Sequence, residues 1–246
     1  MLSLERGLAV IKSFGERHQS RTLSEVAVAC GLTRAAARRF LLTLQSLGYV
    51  ALEDRRFSLT PRTLDLGYAY LASLPWWRPA QRVAEKIGGE TRQACAVGVL
   101  DGDTVVYVAY APASYHASLM RSTGTRLPAH ATATGRVLLG ALADEQLRPL
   151  IKSMKLQRFT PLTATSRRTI AGLVRQARAD GFAIVNQELE EGLRGIGVPI
   201  RDRGGRIVAA MSLSIRDSYM PLADFRKRFL KPLQSASEQI SRDLPA

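Results

Sequence analysis

The stretch "GLTRAAARRFLLTLQSLGYV", Gly31–Val50, constrains the fold more tightly than any other part of the chain. Thr33 is placed to cap a helix, and Gly48 sits where the left-handed residue that ends one belongs. Between them Phe40, Leu41, Leu44 and Leu47 recur at helical spacing and form an apolar face for neighbouring helices. The helix opens instead with Arg34, Ala35, Ala36, Ala37, Arg38 and Arg39, and no acidic residue follows before Glu53. Cations beside side chains that barely project suit a surface that approaches an anion closely.

Upstream, "TLSEVAVAC" sets Thr22 three residues before Glu25, the pattern of a capping box on a short helix. "LERGLAVIKSF" places Leu4, Leu8 and Ile11 on one helical face, with Gly15 as a stop. Helix, short helix, Gly-containing turn and helix is the helix-turn-helix order. Downstream, Tyr49–Leu52 and Phe57–Leu59 are strand-like around the polar turn Glu53–Arg56, so a wing follows with Arg55 and Arg56 at its tip. Residues 1–60 are therefore expected to form a winged helix-turn-helix that binds double-stranded DNA. Arg34 and Arg38 lie four apart and share a face that reaches phosphates or guanine edges, while Ala35 keeps the helix end low enough for a major groove. Phosphate contacts are expected from Arg34, Arg39, Arg55 and Arg56, and base contacts from the Thr33–Arg38 end. A solvated basic face on an ordinary helical bundle is the competing explanation. The capped helix, the turn and the Arg-tipped wing together favour DNA.

Residues 61–74, "PRTLDLGYAYLASL", continue as a linker helix with Leu64, Tyr68 and Leu71 in register. Residues 75–246 read as α+β. "RPAQRVAEKIGG" is a helix ended by glycines, and "ACAVGVL" and "TVVYVAY" form a hairpin around Asp101-Gly102-Asp103. "ASLMR" is a third strand candidate. Helices follow in "ATATGRVLLGAL", in "DEQLRPLIKSM" capped by Asp144, and from Ser166 to Asp180 with Gly181 as the stop. "FAIVNQE", "IGVPIR" and "RIVAAMSLSI" are strands, and a last helix from Leu222 to Asp243 should kink or split at Pro232.

The formal charge is +14, from 35 Lys+Arg against 21 Asp+Glu, and it points to an anionic partner such as nucleic acid. The excess is spread over both parts, so placement rather than the total carries the inference. Only Cys30 and Cys95 occur, without metal-ligand spacing, which argues against a disulfide scaffold or a Cys-based zinc site. No apolar run is long enough to span a membrane and the N-terminus lacks a signal-peptide pattern, so a cytoplasmic location without membrane attachment is expected.

In "IVAAMSLSI" one strand face carries Val208, Ala210, Ser212 and Ser214, small and turning polar, against the bulky Ala209, Met211, Leu213 and Ile215. In "ACAVGVL", Ala94, Ala96 and Gly98 make a second small face. Small faces with hydroxyls leave room for a polar ligand, although close packing of a helix on a sheet uses them equally well. In "LPAHATATGRVLLGAL" a helix starts near Ala131–Ala133, and no acidic residue lies between Asp103 and Asp144. Its first-turn N–H groups and dipole favour a carboxylate, helped by Thr132, Thr134 and His130; Thr132 as a plain N-cap and His130 as a structural residue are the alternatives. Catalysis finds little support: no GxSxG, HExxH, Walker or GxGxxG pattern is present, and Glu188, Glu190 and Glu191 in "NQELEEG" could pair for acid–base work but read better as a loop charge cluster. No catalytic residue, metal or cofactor is expected.

The chain resembles the IclR family of transcriptional regulators along its length, in "SLERGLAVIKSF", "GLTRAAARRFLLTLQSLGYV", "TRLPAHATATGRVLLGAL" and "GFAIVNQELEEGLRGIGVPIRDRGGRIVAAMSLSI". The last two, with "VLDGDTVVYVA", resemble the PcaR/PobR-like subgroup, whose members act in aromatic-acid and β-ketoadipate catabolism. The resemblance implies a winged helix-turn-helix, a linker helix and a C-terminal GAF-like effector-binding domain with an antiparallel sheet, assembled as a homodimer or dimer of dimers. It implies effector contacts at Leu119, Leu127, Ala133, Thr134, Val185, Leu193, Gly195, Ser212 and Ser214. Some relatives that bind very small acids carry an acidic residue in place of Val185 and a Cys in place of Gly195, so the resemblance implies a larger or aromatic acid. Two other functions stay open: a constitutive DNA-binding regulator whose C-terminal domain only oligomerises, and an enzyme with a winged-helix dimerisation domain.

Overall fold

The computed structural model describes residues 2–15, 17–113, 121–216 and 220–244. The chain divides into two compact units, Met1–Ser73 and Leu74–Ala246. In the first, helices α1 (Leu2–Lys12), α2 (Leu23–Ala29) and α3 (Arg34–Ser46) accompany a sheet of β1 (Ser20–Thr22), β2 (Val50–Glu53) and β3 (Arg56–Leu59) in the order β1-β3-β2. Helix starts follow from side-chain capping. Thr22 Oγ1 accepts from Glu25 N–H at 3.3 Å and the Glu25 carboxylate accepts from Thr22 N–H at 2.7 Å. Thr33 Oγ1 accepts from Ala36 N–H at 3.2 Å.

Two apolar faces differ from expectation. α1 buries Val10, with Phe14 just beyond its end, whereas Leu4 and Leu8 are 71% and 43% exposed. The buried face is rotated from the Leu4–Leu8 stripe, and Ile11 sits at its edge. In α3 the inward residues are Ala37, Leu41 and Leu44, at i, i+4 and i+7. Leu47 is the C-cap residue and is 51% exposed, because the helix stops before its side chain can join that face. Between β2 and β3 the turn is only Asp54 and Arg55, both with positive φ (45° and 64°), the two-residue geometry that matches strand twist. α4 (Leu64–Ala72) follows a short 3-10 turn and buries no residue.

The second unit is α+β, a six-stranded antiparallel sheet with helices. α5 (Trp77–Thr91) leads into β4 (Ala94–Asp101), β5 (Thr104–Ala111) and β6 (Arg126–Pro128). Then come α6 (Ala133–Ala141), α7 (Asp144–Ser153), α8 (Arg167–Asp180), β7 (Ala183–Asn186), β8 (Leu193–Arg201), β9 (Ile207–Arg216) and α9 (Leu222–Arg242). The strand order is β6-β5-β4-β9-β8-β7. α5 and α9 pack on β4, β5, β8 and β9, while α6 packs on β4, β8 and β9 and against α8. The expected strand "ASLMR" falls, except for Arg121, outside the described residues; β6 is the strand observed next to β5.

α5 runs through Gly88 and Gly89 to Thr91 and closes at Arg92 in the left-handed region (φ 57°). Gly88 serves close approach instead of termination: a Cβ there would lie 3.2 Å from the Ala111 Cβ. α9 stays one helix through Pro232. Phe225, Phe229, Leu233, Ala236 and Ile240 bury one face, while Pro232 and Arg228, whose carbonyl loses its partner, are exposed to water. Packing of that face outweighs a proline penalty of about 3 kcal/mol.

Candidate functional site

The opening of α3 presents Thr33, Arg34, Ala35, Arg38 and Arg39 to solvent, while Ala37 is in the core. Among the described residues no carboxylate pairs with any of these three arginines. Arg55 lies in the exposed wing turn. Arg56 does not: it is the first residue of β3, opposite Glu53. Its guanidinium donates to Ser20 Oγ and to the Ser20 carbonyl, both at 2.9 Å, and lies 3.5 Å from Glu25. Strand pairing turns Arg56 toward β1 and α2, so only Arg55 is carried at the tip. The Glu25 carboxyl is held below its usual pKa first by the Thr22 backbone N–H, with Arg56 and Arg21 assisting.

In the second unit the register merges the two small strand faces. Ser212 on β9 is opposite Ala96 on β4 and Gly197 on β8, and Ser214 is opposite Ala94 and Gly195. Cross-strand partners share a face, so these residues form one shallow patch. α6 begins directly over it. A Cβ on Gly197 would come within 2.8 Å of the Ala133 carbonyl carbon, and one on Gly195 within 3.8 Å of the Ala133 Cβ. Close helix–sheet packing and a cavity thus occur together. Ala133, Thr134, Val185, Leu193, Gly195, Ser212 and Ser214 line one cavity, with Tyr107, Arg121, Ala131, Thr132 and Leu189. Its volume is about 30 Å³. That is room for roughly two waters at ~10–15 Å³ each.

The remaining expected residues lie elsewhere. Leu119 is outside the described residues. Leu127 pairs with Val105 across β5 and β6 and packs against the main core. His130 is buried away from the cavity, its Nε2 lying 3.1 Å from the Gln157 carbonyl and its ring 5.9 Å from that of Phe159. The 3-10 turn at Ala129–Ala131 directs it there. Thr132 is the α6 cap: its Oγ1 accepts from Gly135 N–H at 3.2 Å and donates to the Pro128 carbonyl at 3.0 Å. The first-turn N–H groups left without an intrahelical acceptor are those of Ala133 and Thr134.

Charge around the cavity is organised by arginine. On α6, Arg136 is buried and meets the Glu188 carboxylate at 2.5 Å, which also accepts from Ala164 N–H at 3.1 Å. Glu190 contacts Arg216 closely, and Arg121 lies 3.8 Å from its other oxygen. Burial raises the pKa of the Tyr107 phenol, opposed chiefly by the positive charge of Arg121 and also by a hydrogen bond with Ser212. Tyr107 is therefore a neutral hydrogen-bonding group in the cavity wall. Period-2 alternation along "TVVYVAYA" marks Tyr107 as inward-facing; no local signal marks Arg121. Burial pushes the Cys95 thiol up to about 12, so it stays protonated at neutral pH. Among the described residues no group of His, Cys, Asp and Glu has the geometry of a metal site, and no helix is long and apolar enough to cross a membrane.

Comparison with known proteins agrees with both units. Residues 3–54 match the IclR helix-turn-helix domain, and residues 68–242 match the bacterial transcriptional regulator IclR C-terminal domain. The chain is 38% identical to the Pca regulon regulatory protein of Pseudomonas putida, over 99% of this chain and 84% of the relative. It is 35% identical to the p-hydroxybenzoate hydroxylase transcriptional activator of Acinetobacter baylyi, over 85% and 79%. The crystal structure of RHA06195 from Rhodococcus sp. RHA1 is 45% identical and superposes with a TM-score of 0.88, covering 99% of this chain and 98% of that one. The exposed cationic helix end, the wing and the sheet-and-helix unit thus have one explanation: the chain belongs to the IclR family of DNA-binding transcriptional regulators.

Proposed function

We propose that the chain binds a double-stranded operator as a homodimer or dimer of dimers, and that a small organic acid entering the cavity under α6 changes that binding. The acid class is aromatic, or one of the acids of β-ketoadipate metabolism. The observation that carries this is the convergence of the α6 first turn with Thr134, Ser212 and Ser214 in one cavity that, among the described residues, has no acidic lining residue. A donor-rich lining beside Val185, Leu189 and Leu193 favours an anion with an apolar body. A relative named for p-hydroxybenzoate hydroxylase supports the aromatic class.

On the DNA side, Arg34, Arg39 and Arg55 meet phosphates, and the Thr33–Arg38 end, with Ala35 clearing space, meets base edges. Arg56 holds the wing in place rather than reaching out. Assembly is supported by the apolar side chains that α1 and α4 leave exposed, Leu4 and Leu8 on one and Leu64, Leu66, Tyr68 and Tyr70 on the other. A second copy covers them, and two recognition helices then read half-sites about one helical turn, or a multiple, apart.

The cavity's small volume favours the rival in which the second unit only oligomerises. A thermal-shift screen of aromatic and dicarboxylic acids, followed by gel shift with the hits, separates the two. Stabilisation by an acid together with altered DNA affinity is expected, and no response to any acid supports the constitutive reading.

A further inference from the structure

We propose that Arg121 is the carboxylate receptor of the cavity, and that an acid binds by taking Arg121 over from Glu190. This rests on the reading of that cavity as an acid site. Glu190 is shared unequally. It contacts Arg216 closely, whereas Arg121 stands 3.8 Å away, beyond hydrogen-bonding distance. Two guanidinium groups face one carboxylate, so the cluster keeps a net positive charge, and Arg121 is its loosely held member. Its side chain is only 12% exposed, in surroundings where a charge-assisted hydrogen bond is stronger than at an open surface.

An exchange of partners leaves no charge stranded. Glu190 retains Arg216, and the incoming carboxylate gains a planar donor suited to bidentate pairing. Neither nearby phenol competes as an anion, because burial raises the pKa of both Tyr107 and Tyr110 while Arg121 opposes the shift. The N–H groups of Ala133 and Thr134 then serve a second polar group. The ligand class that follows is a carboxylic acid with a hydroxyl, oxo or second carboxyl group at its far end. The space for it opens as Arg121 and Leu189, which share the wall, give way.

Calorimetry on the full chain tests this with 4-hydroxybenzoate and 3,4-dihydroxybenzoate, each beside its methyl ester, and 3-oxoadipate beside its dimethyl ester. Arg121→Gln should weaken the best acid by about 10- to 100-fold and leave its ester unchanged. Arg121→Lys should recover part of the loss, and Glu190→Gln, which removes the competing carboxylate, should strengthen the acid. Wild-type acid affinity in Arg121→Gln overturns the assignment, as does an equal loss of acid and ester. If Ser212→Leu abolishes acid binding while Arg121→Gln does not, the cavity stands and Arg121 falls. If the wild type takes none of these acids, the acid site and the assignment fall together. Should Arg121→Gln not fold, the Glu190→Gln arm decides: unchanged or weaker acid binding there overturns the exchange.

Discussion

Arginine is used in opposite ways at the start of α3 and around α6. Arg34, Arg38 and Arg39 are exposed and, among the described residues, have no carboxylate partner. Arg136 is buried against Glu188, whose carboxylate it meets at 2.5 Å. Burial explains the difference. A charge taken from water without a partner costs several kcal/mol, so an interior arginine must bring its carboxylate with it. An arginine kept for an outside anion stays in water, where lacking a partner costs little. Arg121 lies between these extremes, largely buried yet loosely paired.

The contrast breaks most visibly under truncation. Arg136→Ala leaves Glu188 buried and unpaired and should cost about 3–5 kcal/mol in urea unfolding of the second unit. Arg34→Ala should stay within about 0.5 kcal/mol in the first. Similar costs would erase the distinction. Ser212→Leu should cost about 2–3 kcal/mol of acid affinity by filling space and leaving ligand groups unpaired, with ligand-free DNA binding retained. Calorimetry beside a gel shift measures both; undiminished acid affinity would move the site elsewhere. Arg38→Ala should lose roughly 1–3 kcal/mol of discrimination against the wrong base if it reads an edge, checked by competition between operator and scrambled DNA. The smallest difference is within the wing. Arg55→Ala should flatten the log–log salt dependence of DNA affinity by about 0.9 per phosphate contact, and Arg56→Ala should leave the slope alone. The reverse result would return Arg56 to the interface.

The two regions also differ in how far the sequence reveals them. The DNA-binding face is built from residues within a few turns of one another. Caps at Thr22 and Thr33 and the arginine spacing are local signals that tertiary packing leaves in place. The cavity is assembled from β5, the segment before β6, α6 and the turn before it, β7 and the loop after it, β8 and β9. Alternation marks the small faces of Ala94–Gly98 and Val208–Ser214, but only register sets Ser212 between Ala96 and Gly197. The family resemblance puts Leu127 at the site and nearness to the α6 start suggests His130, yet β6 pairing and a 3-10 turn point them into the core. Packing likewise overrides local rules at Gly88 and Pro232, where burial of one helix face outweighs propensity.

The central claim is that an acid in the α6 cavity controls the α3 interface. Its most direct test is fluorescence anisotropy of the full chain on a DNA fragment selected by the protein from a random pool, titrated with and without the acid that binds best. In the wild type the acid should change DNA affinity by about 5- to 150-fold. In Ser212→Leu the ligand-free affinity should match the wild type, and an acid concentration that just saturates the wild type should have little effect. DNA affinity in the wild type that is the same with saturating acid as without it would contradict the claim.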